Sequence, residues 1–249
     1  MGVLDFFSKD GRDERARQKN AARVINKYAQ SPDRMKALQA LRDDGSDDAL
    51  YALIKRFGMR YDKTIEDEQE KEWAFEALVE LGAKTLPALK RYMESAESIS
   101  WPLRLLEKVV ATKEEQIDVV AAALERHEPG YERDPTKKIQ LLSHIGAFKN
   151  ARVTTLAVPY LGDMDEGVRY AAVEALVRQG DEATCRGPLL EQFVSPNEES
   201  LRLRIRIADG FAELGWPVGD RRAEVEKFLP DAFQIEGRAA DARITKKNG

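Results

Sequence analysis

With 249 residues, 43% of them hydrophobic and 34% charged, the chain has enough apolar matter for a large core, and Gly and Pro fall at regular interruptions, which argues against long disorder. A net charge of −4 sets up no whole-molecule field that would select nucleic acid or an anionic membrane, so either partner would need a local patch. The single cysteine, Cys185, excludes an intrachain disulfide and a cysteine-cluster metal site and suits a reducing compartment such as the cytoplasm.

The opening residues lack a basic region followed by an apolar run, so no signal peptide is expected, and the longest apolar stretch, VVAAAL at 119–124, is too short to span a bilayer. Val3, Leu4, Phe6 and Phe7 form an apolar start that needs a cover: the first repeat of the chain itself, a partner, or a membrane surface. Residues 12–30 read as a charged helix with Ala21, Val24, Ile25 and Tyr28 facing inward, which makes 1–30 an N-terminal segment and cap.

From 31 to 229 one pattern recurs. ALQALRDDG (37–45), AFEALVELG (74–82) and AVEALVRQG (172–180) align without gaps, and KIQLLSHIG (138–146) and IADGFAELG (207–215) fit more loosely. The anchors Gly45, Gly82, Gly146, Gly180 and Gly215, with a degenerate copy ending near Val110, lie roughly 28 to 37 residues apart, the range of helical repeats. One turn before each anchor stand Leu41, Leu78, Leu106, Leu142, Leu176 and Phe211, on the face expected to be buried. Glycine closes each helix because it takes the left-handed conformation at little cost. A second helix follows at once, with stripes such as Leu86, Leu89, Met93 and Leu189, Leu190, Phe193. Six such pairs cannot bury their faces singly, so the expected fold is all-α, an α-solenoid in which stacking completes the core. Residues 59–72 insert a concentrated negative charge, which could bind a basic region of a neighbouring molecule. The run 200–211 alternates like a strand, but its register with the repeat predicts a helix. In the tail, 230–249, residues 233–245 lack helical period and suit a loose hairpin or a flexible end.

Asp165, Val168, Arg169, Ala172, Ala175, Leu176, Gly180, Asp181 and Ala183 carry a resemblance to the HEAT repeat, in particular to the bacterial HEAT-like repeats named after phycobilisome lyases. It extends over 31–229, with basic residues at the family's arginine position as Arg34, Lys71, Arg169 and Arg204, and Pro135 in the fourth unit. The resemblance implies a superhelix but no single function, since scaffolds, lyases, hydroxylases and a DNA glycosylase group share it.

Reactive residues are few. His127 and His144 are the two histidines and cannot assemble the hydroxylase metal site, and Cys185, without a neighbouring histidine, reads as a small buried residue. Trp73, Trp101 and Trp216 read as wedges near helix starts, the last two suited to a first turn by the proline that follows each. Arg152, Arg186 and Arg221 lie at equivalent positions and should form a row at roughly 10 Å intervals, with stems packed because Leu156, Leu190 and Val225 follow one turn later. Thr154, Pro188 and Ala223, expected in the groove, are not basic, so a nucleic-acid groove finds little support. Leu203, Ile207 and Phe211 form an apolar stripe beside Arg202 and Arg206. The candidate partner-binding residues are therefore Arg169, Arg186, Arg202, Arg204, Arg206 and Arg221, a basic edge for an acidic peptide, together with Phe6 and Phe7. The expected function is a non-catalytic, cofactor-free scaffold or adaptor that binds another protein through its groove or this edge. The alternatives are an accessory subunit like the bilin lyases or a nucleic-acid-binding protein of the glycosylase type.

Overall fold

The computed structural model describes residues 3–247, with side chains described from residue 11 onward apart from residue 239. The fold is all-α: α1 (Val3–Val24), α2 (Ser31–Asp44), α3 (Asp47–Ile54), α4 (Thr64–Leu81), α5 (Leu86–Ser95), α6 (Ser100–Val109), α7 (Lys113–Leu124), α8 (Thr136–Ile145), α9 (Ala151–Ala157), α10 (Glu166–Gln179), α11 (Glu182–Val194), α12 (Leu201–Leu214) and α13 (Arg222–Phe228). A hairpin of β1 (Phe233–Glu236) and β2 (Arg243–Lys246) closes the chain, pairing Phe233 with Lys246 and Ile235 with Ile244. Among the described residues no helix is long and apolar enough to cross a membrane.

Packing divides the chain into two units, Met1–Val119 and Val120–Gly249. Each contains two rows of helices. In the first, α1, α2, α4 and α6 contact one another in sequence, while α3 packs on α5 behind them. In the second, α8, α10 and α12 form the leading row, and α9, α11 and α13 return behind it. The repeat leucines explain the arrangement: Leu41, Leu78, Leu106, Leu142, Leu176 and Phe211 are all fully buried, so every leading helix turns the same stripe into the space between rows. The alternating run at 200–211 is helical, with Leu203, Ile207 and Phe211 buried, because a helix here aligns that stripe with the neighbouring rows.

The anchor glycines do not share one conformation, and Gly82, at φ 58° and ψ −136°, makes a positive-φ turn outside the expected left-handed helical region. Gly45, Gly180 and Gly215 take the left-handed conformation, with φ of 58°, 66° and 66°. Gly146 instead stays helical at φ −60°, contrary to the expected left-handed cap. Its lack of a side chain serves packing: a Cβ there would stand 2.9 Å from the Cβ of Ala175, so glycine lets α8 close on α10.

Other expectations are corrected. The first helix begins at Val3 and stops at Val24, where the Asn26 side chain takes the Tyr28 N–H at 2.9 Å. Breaking the helix there turns Ile25 and Tyr28 outward, although Val24 is buried as expected. Trp73 lies inside α4, not at its start. Trp216 follows α12 in a loop, edge-on to Phe211 at 5.6 Å, because Pro217 bridges to Arg243 of the hairpin instead of opening a helix. Thr154 is buried, its hydroxyl 3.4 Å from the Cys185 sulfur, since the returning helix α9 turns that face inward.

Candidate functional site

The basic position of the repeat is an internal strut. Arg34 on the first turn of α2 holds Glu70 of α4, with Nη2 to Oε1 at 2.8 Å and Nε to Oε2 at 3.0 Å. Arg56, fully buried beyond α3, donates to Glu70 at 3.0 Å and to Asp67 at 2.6 Å, and Lys71 reaches the other oxygen of Asp67 at 2.6 Å. The ring of Tyr61 lies 4.2 Å from the guanidinium carbons of both Arg34 and Arg56. Burial alone would push the Glu70 and Asp67 carboxyls up, but the hydrogen bonds and charges of these cations outweigh it, leaving both below the ordinary range. The insertion expected to display negative charge thus buries part of it.

In the second unit Arg169 does the same, binding the buried Glu198 at 2.8 and 2.9 Å and the carbonyls of Asp163 and Met164. The Glu198 bond chiefly raises the Arg169 pKa. Arg204 donates to the carbonyls of Phe193 and Ser195 and covers the Phe228 ring. A further buried pair, Lys138 with Asp163 at 2.9 Å, ties the loop at Gly130 to the start of α8.

The other candidate arginines are engaged as well. Arg186 donates to the Pro217 carbonyl at 3.1 Å, Arg202 lies over Tyr170 and 3.5 Å from Glu166, Arg206 pairs with Glu174, and Arg221 pairs with Glu191 and, at 2.7 Å, with Glu224. The structure therefore gives these residues internal partners instead of gathering them into one free basic surface. The side chains of Phe6 and Phe7 lie outside the described residues. His127 faces Glu132 at 2.8 Å, His144 stands edge-on to Phe148, and Cys185 is fully buried.

What sequence reasoning missed is a recurrence of exposed apolar side chains, two in the first unit and three in the second. Tyr28 (81% exposed), Ile65 (76%), Tyr131 (80%), Met164 (72%) and Leu201 (60%) are the most exposed large hydrophobic residues among those described, the next reaching 38%. Each lies about 15 residues before an anchor glycine, at or just ahead of the start of a leading helix. A hydrophobic staple would also put an apolar residue there, but a staple is covered by its own helix, and these side chains are not. The signal was present in the sequence as a register, visible once residues are counted back from the glycines.

Recesses open at the same level. In the first unit a cleft of about 700 Å³ lies between the start of α4 and the α5–α6 connection, lined by Tyr61, Lys71 and Trp101. Its floor is stiff, since Phe57 stacks on Trp101 at 5.3 Å and the buried ion cluster lies beneath Tyr61. In the second unit a recess of about 500 Å³ lies between Met164 and Glu199, with the Arg169–Glu198 pair in its wall. No family model and no curated protein matches the chain.

Proposed function

We propose that the chain is a non-catalytic helical-repeat protein of the HEAT type, a cytoplasmic adaptor that docks a partner protein on the edge where the leading helices of its second unit begin. The observation that supports this reading is the register of Tyr28, Ile65, Tyr131, Met164 and Leu201. Scattered exposed apolar residues need no explanation, but one per glycine-anchored repeat, near the start of each leading helix and with Met164 lining a recess, is the pattern of a recognition surface. The arginines of the C-terminal half lend less support to an acidic-peptide site, because each already holds a carboxylate or a backbone carbonyl. The single buried thiol of Cys185 is in keeping with a reducing compartment.

The test is a comparison of affinity-tagged chains recovered from the native cell. Tyr131→Ser, Met164→Ser and Leu201→Ser in one chain should abolish co-purification of the specific partner while leaving the melting temperature nearly unchanged. Undiminished co-purification with a folded triple variant would remove this edge as the docking site.

A further inference from the structure

The cleft of the first unit contains a buried hydroxyl that the protein leaves unbonded. Tyr92 of α5 is 7% exposed and lies edge-on to Tyr51, yet its oxygen forms no hydrogen bond with any described residue. It reaches the cleft beside Gly58, where a Cβ would stand 2.7 Å from that oxygen. The backbone at residue 58 is not left-handed, so glycine is needed there for space and not for conformation. A buried hydroxyl without a partner is costly, and burial, with Tyr51 second, raises the Tyr92 pKa, which keeps the group a proton donor at neutral pH. It calls for an acceptor in the cleft.

Other donors line the same wall. No side chain caps α6, and Pro102 has no N–H, so the Ser100 and Trp101 N–H groups are left without a partner inside the helix, while Leu103 returns to the Ile99 carbonyl at 2.8 Å. This helix start lies close to Tyr92, because Phe57, next to Gly58, stacks on Trp101 at 5.3 Å. Across the cleft, the buried Lys71 ammonium has three protons and two acceptors, Asp67 at 2.6 Å and Glu68 at 3.4 Å.

Charge decides what these donors hold. The lining carries Arg60 and Lys71 against Asp67, Glu68 and Glu97, the buried Arg56 meets Asp67 at 2.6 Å from behind, and the Arg34–Glu70 pair beneath adds nothing. The surroundings are thus close to neutral. Helix-terminal donors beside an ammonium favour one negative charge, whereas Glu68 and Glu97 disfavour a phosphate dianion. The half-buried rings of Tyr61 and Trp101 supply an apolar wall for the rest of a ligand.

We propose that the first-unit cleft binds a small ligand through a single carboxylate held by the Tyr92 hydroxyl and the first-turn N–H groups of α6, with Lys71 supplying positive charge and Tyr61 and Trp101 flanking the apolar body. The inference does not rest on the adaptor reading, whose edge lies in the second unit.

The test labels the full chain with ¹⁵N at its tryptophan indoles, with Trp101→Phe identifying the cleft signal. The probes are 3-phenylpropionate, its amide, 2-phenylethyl phosphate and the peptide Gly-Gly-Phe. The carboxylate should shift the Trp101 signal saturably and leave Trp216, buried in the second unit, unmoved, and the amide and the phosphate should bind at least about tenfold more weakly. Tyr92→Phe should weaken the carboxylate about tenfold without lowering the melting temperature, since the lost hydroxyl has no partner in the protein, and Gly58→Ala should weaken it by filling the space beside that hydroxyl. Tighter binding by Gly-Gly-Phe than by 3-phenylpropionate would support the site with a peptide C-terminus as the source of the carboxylate, and weaker binding would support it with a free acid. Equal binding by the amide overturns the carboxylate assignment, and tighter binding by the phosphate overturns the charge argument. Unchanged affinity in Tyr92→Phe, or a lower melting temperature, removes the hydroxyl from the site, and no Trp101 response to any probe overturns the inference as a whole.

Discussion

Glu70→Gln should cost the first unit much of its stability. Glu70 is 1% exposed and accepts hydrogen bonds from Ser31 at 2.7 Å, from Arg34 at 2.8 Å and from Arg56 at 3.0 Å. The amide keeps one acceptor oxygen but turns an N–H toward two guanidinium groups that have no route to water. Removing one partner from a buried ion cluster costs about 3 to 5 kcal/mol, mostly as the penalty of the charge left behind. For a unit of this size that corresponds to a fall in melting temperature of roughly 10 to 20 °C. Circular dichroism at 222 nm would follow the melt, and hydrogen exchange by mass spectrometry should locate the loss of protection in α2 and α4. Glu72→Gln, two residues away on the exposed face of α4, is the matched control and should cost less than about 0.5 kcal/mol. If Glu70→Gln melts within a degree or two of Glu72→Gln, the cluster does not hold α2 against α4 and the strut reading of the repeat cation is wrong.

Acid should weaken both units. Asp67, Glu70 and Glu198 have folded pKa values held below the ordinary carboxylate range, so their contribution is complete at neutral pH and is lost as pH falls below about 4 through those folded values. A pH series of urea melts checks it, and stability that stays flat down to pH 3 would contradict it. Gly180→Ala and Gly146→Ala should both destabilise, for different reasons. The first forces an L-residue to φ 66°, at about 1 kcal/mol. The second drives a methyl to within 2.9 Å of the Ala175 Cβ, at about 1 to 3 kcal/mol, and because the Ala175 Cα at 3.0 Å and the Leu142 carbonyl at 3.1 Å stay in place, the companion Ala175→Gly should relieve part of this cost and none of the first in a double-mutant cycle. Reversing charge at Arg186, Arg204 and Arg221 should lower the melting temperature by removing internal bonds while leaving partner binding largely intact, and the opposite result would restore the basic-edge reading.

The helical repeat was legible because its signals are local and periodic: Leu176 one turn before Gly180, then the Asp181 cap whose side chain takes the Ala183 N–H. Register also overrode the alternating pattern at 200–211. The failures were tertiary. Gly146 looks in sequence like Gly180, but its conformation is set by the approach of Ala175 from another helix. Asp67 and Glu70 read as part of a solvated acidic run, since nothing adjacent in sequence shows that Arg34 and Arg56 will meet them in the interior. The arginines of the C-terminal half were identified as basic positions, but their partners Glu166, Glu174 and Glu198 lie about 30 residues away and one helix over. The exposed apolar residues were the reverse case, a regularity written in the sequence that only burial made visible, because Tyr28 is read as core until its surroundings are known.

The central claim is that a partner sits on the edge where the leading helices of the second unit begin. Its most direct test is a map of photo-crosslinking yield in the native cell, with p-benzoylphenylalanine placed singly at residues 131, 164 and 201 and, for comparison, at residues 186 and 221 near the starts of the returning helices. The account predicts one common adduct from the first three positions, competed away by excess unlabelled chain, and little from the other two. Adducts confined to residues 186 and 221 would contradict it and return the binding surface to the arginine row.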